Sequence, residues 1–312
     1  MQALLFPGQG SQSIGMGKDL SVSYDAAKKV FDEVDESLGE KLSDLIWNGD
    51  LDELTLTKNA QPALMAMSLA VIASLKSEGF SLDNSSYFAG HSLGEYSALA
   101  AAGSISIWDS ARLLRLRGLA MQSAVPVGVG AMATILGLEY NDVVGISVEA
   151  RKSDVCEVAN DNDPSQVVVS GHKAAVERAI EIAKKRGAKR AVLLPVSAPF
   201  HCKLMGPASD TMATALSEIK VLAPTVPIVA NVTANPTIDP NEIKDLLVKQ
   251  VTGTVKWRES IFFMVTNGVT KTLEIGAGRA LSGMVRRIEK SISTKSISGA
   301  ADVAGAIAEW ND

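Results

Sequence analysis

The chain has 312 residues, 46% of them hydrophobic, and a formal net charge of −5. That length and apolar share supply a full core for one large domain, or a large one with a small companion, while the acidic balance argues against a nucleic-acid-binding surface. Two cysteines, Cys156 and Cys202, and three scattered histidines, His91, His172 and His201, form neither a disulfide framework nor a metal motif, so no metal is expected.

The chain opens directly on a strand-like run, Gln2 to Phe6, and no signal peptide is expected. A loop follows, Pro7-Gly8-Gln9-Gly10-Ser11-Gln12. Helical periodicity runs from Ser23 to Leu38 and from Asn59 to Glu78. The longest apolar run, Leu64 to Leu75, is too short to span a bilayer. A soluble protein in a reducing, cytoplasmic setting follows as the expectation, with no membrane partner.

Tyr87, Phe88 and Ala89 can end a short buried strand. Behind them stands Gly90-His-Ser-Leu-Gly94, then a run of strong helix formers from Glu95 to Ala102, with Gly103 placed to cap it. In Gly-x-Ser-x-Gly the serine sits on a sharp strand-to-helix turn that thrusts its Oγ outward. The helix N-terminus also offers free N–H groups where an oxyanion would form. Ser92 is therefore the candidate nucleophile, against the alternative of an ordinary serine in a tight turn.

A helix from Ile107 to Ala124 carries Arg112, Arg115 and Arg117. Asp109 can pair with Arg112 at i,i+3. Arg117 has Leu113, Leu114, Ala120 and Met121 as helical neighbours, and a guanidinium among apolar groups needs an anion. Two readings stand: a buried protein ion pair, or a substrate carboxylate held bidentately.

Beyond the linker-like Pro126-Val-Gly-Val-Gly130 the order is strand 131–138, helix 141–151, strands 155–160 and 166–170, helix 174–186, strand 191–196. That is β-α-β-β-α-β, the ferredoxin-like unit, read as a small domain inserted into a larger α/β domain. Residues 126–197 are assigned to the insert, and 1–125 with 198–312 to the catalytic domain. The larger domain resumes with a helix from Cys202 to Ile219 and a strand at 226–230. Helices at 242–251 and 257–267, a strand at 272–275 and a helix at 279–289 complete it, which implies a mostly parallel sheet.

A serine nucleophile needs a base. His91 adjoins Ser92, and neighbours at an elbow point different ways, which leaves it a structural or orienting role. His172 opens a helix as a surface cap. His201 lies where the chain returns from the small domain, at a junction where a cleft would form, and is the base by elimination. Cys202 is read as core. The glycine pairs Gly128/Gly130 and Gly276/Gly278 depart from the dinucleotide pattern and read as packing turns. The basic run from Lys184 to Arg190 is either a helix C-terminus capped by Gly187 or an attraction for an acidic partner or phosphates.

Together, Gly8-Gln-Gly-Ser-Gln12, Gly90-His-Ser-Leu-Gly-Glu-Tyr-Ser-Ala98, Arg117 in Arg115-Leu-Arg-Gly118, Phe200-His201, Gln166-Val-Val-Val-Ser-Gly-His172 and Asn231-Val-Thr-Ala234 resemble the malonyl-CoA:acyl carrier protein transacylases of bacterial fatty acid synthesis, over nearly the whole chain. The resemblance implies a hydrolase-like parallel-sheet core with a ferredoxin-like insertion. It implies that Ser92 is acylated, with His201 as base and the backbone N–H groups of Gln9 and Leu93 as oxyanion hole. Arg117 would hold the malonyl carboxylate, and the carbonyl of Gln250 would orient the imidazole. Phe200, beside the base, is expected against the malonyl α-carbon, and His91 is counted with it and Arg117 as substrate-binding. Acyl carrier protein and malonyl-CoA are the implied partners, no cofactor beyond the thioester substrates is called for, and a monomer is expected. Thr254 and Ala277 stand where the family often has proline, which touches local loop rigidity. The rivals are a hydrolase of the same elbow class, which would place its histidine later in the chain, and a binding module that only docks carrier protein.

Overall fold

A computed structural model describes residues 1–196 and 198–310. In chain order, β1 (Gln2–Phe6) leads through a loop to α1 (Lys18–Ser23), α2 (Asp25–Leu38), α3 (Leu42–Asn48), α4 (Leu51–Thr55) and α5 (Thr57–Ser77). β2 (Tyr87–Gly90), α6 (Gly94–Ala101) and α7 (Ile107–Ser123) follow. Next come β3 (Gly130–Leu136), α8 (Tyr140–Arg151), β4 (Cys156–Asp163), β5 (Gln166–His172), α9 (Lys173–Lys185) and β6 (Arg190–Leu193). The chain continues through α10 (Gly206–Glu218), β7 (Ile228–Val229), β8 (Pro236–Thr237), α11 (Pro240–Thr252), α12 (Trp257–Thr266), β9 (Lys271–Ile275), α13 (Ala280–Ile288), β10 (Ser293–Ile297) and α14 (Ala300–Trp310).

Two sheets organise these elements. The six-stranded sheet has the order β10-β9-β1-β2-β7-β8, parallel throughout except for the β7–β8 pair. Its central strand β1 reads as a continuous apolar run because both faces are covered. Leu4 and Phe6 join the core formed with α2, α5 and α7, while Ala3 and Leu5 face α12 and α13 on the other side. The four-stranded sheet has the order β4-β5-β3-β6, every pair antiparallel, with α8 and α9 packed on one face. This is the ferredoxin-like βαββαβ arrangement, inserted in a hydrolase-like α/β core. Leu64 to Leu75 lies in α5, a helix buried along most of its length, and among the described residues no helix is long and apolar enough to cross a membrane.

The two sheets are joined along β4. Val255 pairs with Asn160 through Asp161 N–H to Val255 O (3.0 Å) and Val255 N–H to Ala159 O (2.9 Å). The Thr254 hydroxyl donates to Val158 O at 2.6 Å, so the residue standing in place of proline adds a bond between the units. Ala277 is buried in the main core between two left-handed glycines, Gly276 and Gly278.

Several sequence expectations need correction. The helix foreseen from Cys202 begins as α10 only at Gly206, because His201 is left-handed and Cys202 extended. The strand at 226–230 shrinks to Ile228–Val229. Asp109 takes the Ser106 hydroxyl at the α7 N-cap instead of Arg112. His172 stands at the α9 N-cap without capping it; its Nδ1 accepts from Val155 N–H at 2.9 Å. The basic run, by contrast, is a helix C-terminus as one of its two readings had it: α9 ends at Lys185, Gly187 turns the chain at positive φ, and Lys184 and Arg186 pair with Glu181 and Glu149. The short helices α1, α3 and α4, the strands β8 and β10, and α14 went unforeseen.

Candidate active site

β2 runs straight into the elbow. Ser92 has φ 53°, a left-handed conformation costly for any residue with a Cβ. The flanking glycines are required by contact. A Cβ on Gly90 would lie 1.9 Å from the Gly94 carbonyl carbon, and one on Gly94 would lie 2.2 Å from the Phe6 carbonyl oxygen. Asn231 staples the turn: its Oδ1 accepts from Ser92 N–H (2.7 Å) and its Nδ2 donates to Gly90 O (2.6 Å). Leu93 stands at the start of α6, where backbone N–H groups lack intrahelical partners. Gly8 brings the loop after β1 against the elbow, since a Cβ there would sit 2.7 Å from His91 O.

Ser92 Oγ meets His201 Nε2 at 2.8 Å, and His201 Nδ1 meets the carbonyl of Gln250 at 2.9 Å. The second partner of Ser92 Oγ is Arg117 Nη2 at 3.1 Å. Donor and acceptor capacities fix the protons. A carbonyl only accepts, so Nδ1 carries the imidazole proton and Nε2 is left with its lone pair. A guanidinium only donates, so the Ser92 hydroxyl spends a lone pair on Arg117 and aims its hydrogen at Nε2. A neutral imidazole is thus set against the hydroxyl with a backbone carbonyl, in place of a carboxylate, behind it.

Arg117 is 1% exposed. It reaches the site because Gly118 lets α7 cross close to α5: a Cβ at 118 would lie 2.6 Å from Lys58 Cα and Thr57 O. Nη1 donates to Gln61 Oε1 (2.7 Å), Nη2 to Gln250 Oε1 (2.8 Å), the Tyr96 ring lies 5.8 Å from the guanidinium carbon, and Nε has no partner. Among the described residues no carboxylate forms an ion pair with it, which removes the buried-pair reading left open by the sequence. The nearest buried carboxyl, Glu95, is pushed up to about 7 by burial, partly offset by bonds from Gln250 Nε2 (2.8 Å) and Asn231 N–H (3.1 Å). His201 is pulled down to about 3, by burial first and then by the Arg117 charge, against the Gln250 carbonyl that favours its protonation.

These groups line a cavity of about 280 Å³ between the two sheets, with Gln9, Thr57, Leu93, Arg117 and Phe200 on one part of its wall and Met132, Asn160 and Leu194 from the four-stranded unit on another. Phe200 is buried beside His201. His91 also lines the cavity, with Nε2 to Asn162 Oδ1 at 2.9 Å and its ring against Trp257. Burial raises Cys202, with its Sγ donating to Pro199 O, to about 11, which leaves it a poor nucleophile. No group of metal-ligating side chains occurs among the described residues. The arrangement can therefore do acyl chemistry: a positioned hydroxyl, a neutral imidazole, helix-terminal N–H groups and an uncompensated cation.

The sequence reading left out Gln61, Glu95, Asn160, Asn162 and Thr57. Gln61 could have been found by the argument used for Arg117, as a polar side chain on an otherwise apolar helix face. Asn231 had been quoted only for its motif.

The family model for the acyl transferase domain matches residues 3–306. The malonyl CoA-acyl carrier protein transacylase of Bacillus subtilis (strain 168) is 46% identical over 297 residues, covering 95% of this chain and 93% of that one. The crystal structure of an acyl-carrier-protein-S-malonyltransferase from Bartonella henselae superposes with a TM-score of 0.97 at 52% identity, covering 100% of this chain and 99% of that one. A structure of a malonyl-transacylase in complex with its type II PKS acyl-carrier protein gives 0.96 at 40% identity, covering 100% of this chain and 99% of that one. On these matches, the chain belongs to the malonyl CoA-acyl carrier protein transacylase family of acyl transferases.

Proposed function

We propose that the chain moves a malonyl group from CoA to the phosphopantetheine thiol of acyl carrier protein through a malonyl-Ser92 intermediate, supplying fatty acid elongation. The observation that carries this reading is Arg117, a buried cation 3.1 Å from Ser92 Oγ with no carboxylate paired to it among the described residues. The malonyl carboxylate supplies the missing anion and aligns the thioester over Ser92. His201 takes the hydroxyl proton as Oγ attacks the carbonyl carbon, and the N–H groups of Gln9 and Leu93 hold the oxyanion. Collapse expels CoA sulfur, which takes the proton from His201. The carrier thiol then gives its proton to His201 and attacks the ester carbonyl, and as the C–O bond breaks His201 returns that proton to Ser92 Oγ. The Gln250 carbonyl orients the imidazole through both half-reactions, Phe200 limits the space at the malonyl α-carbon, and His91 holds the cavity wall. Residues 126–197 act as the inserted unit that closes over the substrate. The same proposal includes a cytoplasmic monomer with no cofactor and no nucleic-acid or membrane partner.

The test is incubation with radiolabelled malonyl-CoA, with and without carrier protein. Label on the Ser92 peptide that passes to carrier is the expected result, and Ser92→Ala takes up none. Free malonate without transfer marks a hydrolase, and label on Cys202 overturns the assignment.

A further inference from the structure

Gln9 contributes a backbone N–H to the proposed oxyanion hole, yet its side chain points elsewhere. Its Oε1 accepts from the Thr57 hydroxyl at 3.0 Å. Thr57 Oγ1 in turn accepts from Gln61 Nε2 at 2.9 Å, and Gln61 Oε1 accepts from Arg117 Nη1 at 2.7 Å. The cation sets the polarity at its own end of this chain. Arg117 can only donate, so Gln61 turns its oxygen to it and its amide nitrogen to Thr57. The Thr57 proton then has Gln9 Oε1 as its acceptor. Every bond runs the same way, from the buried cation to the loop after β1, and bonds aligned in this way strengthen one another.

That loop has no regular structure of its own. Besides Gln9, it is braced by Gln12, whose Oε1 accepts from Gly10 N–H (2.8 Å) and whose Nε2 donates to Thr55 (3.3 Å). We propose that Thr57 and Gln61 are positioning residues that couple the carboxylate site at Arg117 to the oxyanion-binding backbone of Gln9, so that a carboxylate seated on Arg117 and a correctly placed Gln9 N–H favour each other. The inference rests on the transacylase reading above. It deepens that reading by making the substrate carboxylate a participant in the acylation step as well as an anchor. It also gives the Gln9 side chain a purpose separate from its main chain.

The experiment is a double-mutant cycle on steady-state malonyl transfer from malonyl-CoA to holo acyl carrier protein, using the full chain. Gln9→Leu cuts the relay at one end while keeping the backbone N–H, Gln61→Leu cuts it at the other, and Thr57→Val cuts the middle. Oxyanion donors act in the transition state, so each cut lowers kcat by about tenfold, part of the hundredfold or more that follows outright loss of such a donor. Two cuts in one relay cost no more than the larger single cut. Thr57→Ser, which keeps the hydroxyl, stays within about twofold of the native rate, an outcome a purely steric role for the threonine would not produce. Gln9→Leu with Gln61→Leu carries the test if Thr57→Val fails to fold. Factors that multiply to about a hundredfold in the double variant, losses confined to KM, or a Thr57→Ser no better than Thr57→Val overturn the coupling. A native protein that never malonylates Ser92 overturns the function on which it rests, and that outcome is read before any variant is compared.

Discussion

Arg117→Ala removes a buried cation whose direct partners are all neutral: Gln61, Gln250 and the Ser92 hydroxyl. A malonyl group would lose its counter-ion in a dry site, a loss of about 3–5 kcal/mol, or roughly two to four powers of ten. An acetyl group makes no such pair, so kcat/KM for malonyl-CoA falls by that factor while acetyl-CoA holds or gains. Equal losses for both would make Arg117 a structural residue. His201 invites a second prediction. Its folded value, about 3, lies below its ordinary 6.5, so its share of stability is present above pH 6.5 and is lost as pH falls toward 3. Glu95 runs the other way: raised from 4.5 to about 7, its share is present below 4.5 and is lost as pH rises through 7. The kcat/KM profile reports the free enzyme, so no acid limb with a midpoint near 6.5 is expected, and activity persists to about pH 5, the region where His201 remains neutral. A midpoint at 6.5 in Ser92 acylation would mean the imidazole is wetter than its burial indicates. Arg117 was legible in the sequence because a charge among leucines demands a partner. Glu95 was not, since a first-turn carboxylate also suits a helix surface.

Left-handed backbone stores strain here at both residues of the proposed catalytic pair: Ser92 on the strand-to-helix turn at φ 53°, and His201 in the loop before α10 at φ 57°. Glycine adopts that region without a Cβ penalty, while alanine does not. Ser92→Gly is therefore expected to be inactive yet more stable than the equally inactive Ser92→Ala, by about 1 kcal/mol, or about 2 °C in Tm for a chain of this size. Thermal unfolding of the two variants side by side checks this, and a higher Tm for Ser92→Ala would place the strain elsewhere. The same geometry explains which elements the sequence revealed. The long buried strands and the helices α2, α5, α7 and α9 carry their periodicity over several turns. The helices α1, α3 and α4 have six, seven and five residues, too few to show a period. β10 alternates exposed and covered positions in the polar stretch Ser293–Ile297 at the sheet edge, so it lacks the apolar run of its neighbours. The late start of α10 has a functional cause: the backbone turns at His201 to bring the imidazole to Ser92, and a helix there would carry it away.

The two sheets form one cavity only because β4 is held against the larger unit, and its means are unusually polar. Asn160, Asp161, Asn162 and Asp163 are all buried. Asp161 takes both oxygens to Arg258 Nε (3.0 and 3.1 Å), Asp163 takes Arg287 Nε at 2.8 Å, and Asn162 takes His91. Composition alone read this stretch as a strand ending at Asn160, because carboxylates and amides rarely lie inside; the carboxylates' partners come from α12 and α13, about a hundred residues later, and Asn162's from the elbow before it, distances no local pattern reveals. The seam bears on the reaction, since it sets Asn160 and Met132 against the wall that carries Ser92 and Arg117. Arg258→Ala would strand Asp161, which is 0% exposed, without its cation. Burial already holds that carboxyl above its ordinary range, and losing Arg258 would raise it further. The expected cost is about 3 kcal/mol, the low end for breaking a buried pair, because the Arg258 side chain keeps 22% of its surface in solvent. With β4 loosened, KM for malonyl-CoA rises more than kcat falls. Replacing both partners, Arg258→Met with Asp161→Leu, leaves no buried charge behind and recovers most of the stability. Urea unfolding and steady-state kinetics on the single and double variants decide the matter. If Arg258→Ala unfolds at the native midpoint, the units are held by the Val255 bridge and the Thr254 hydroxyl instead, and the charged seam is only a solvated edge.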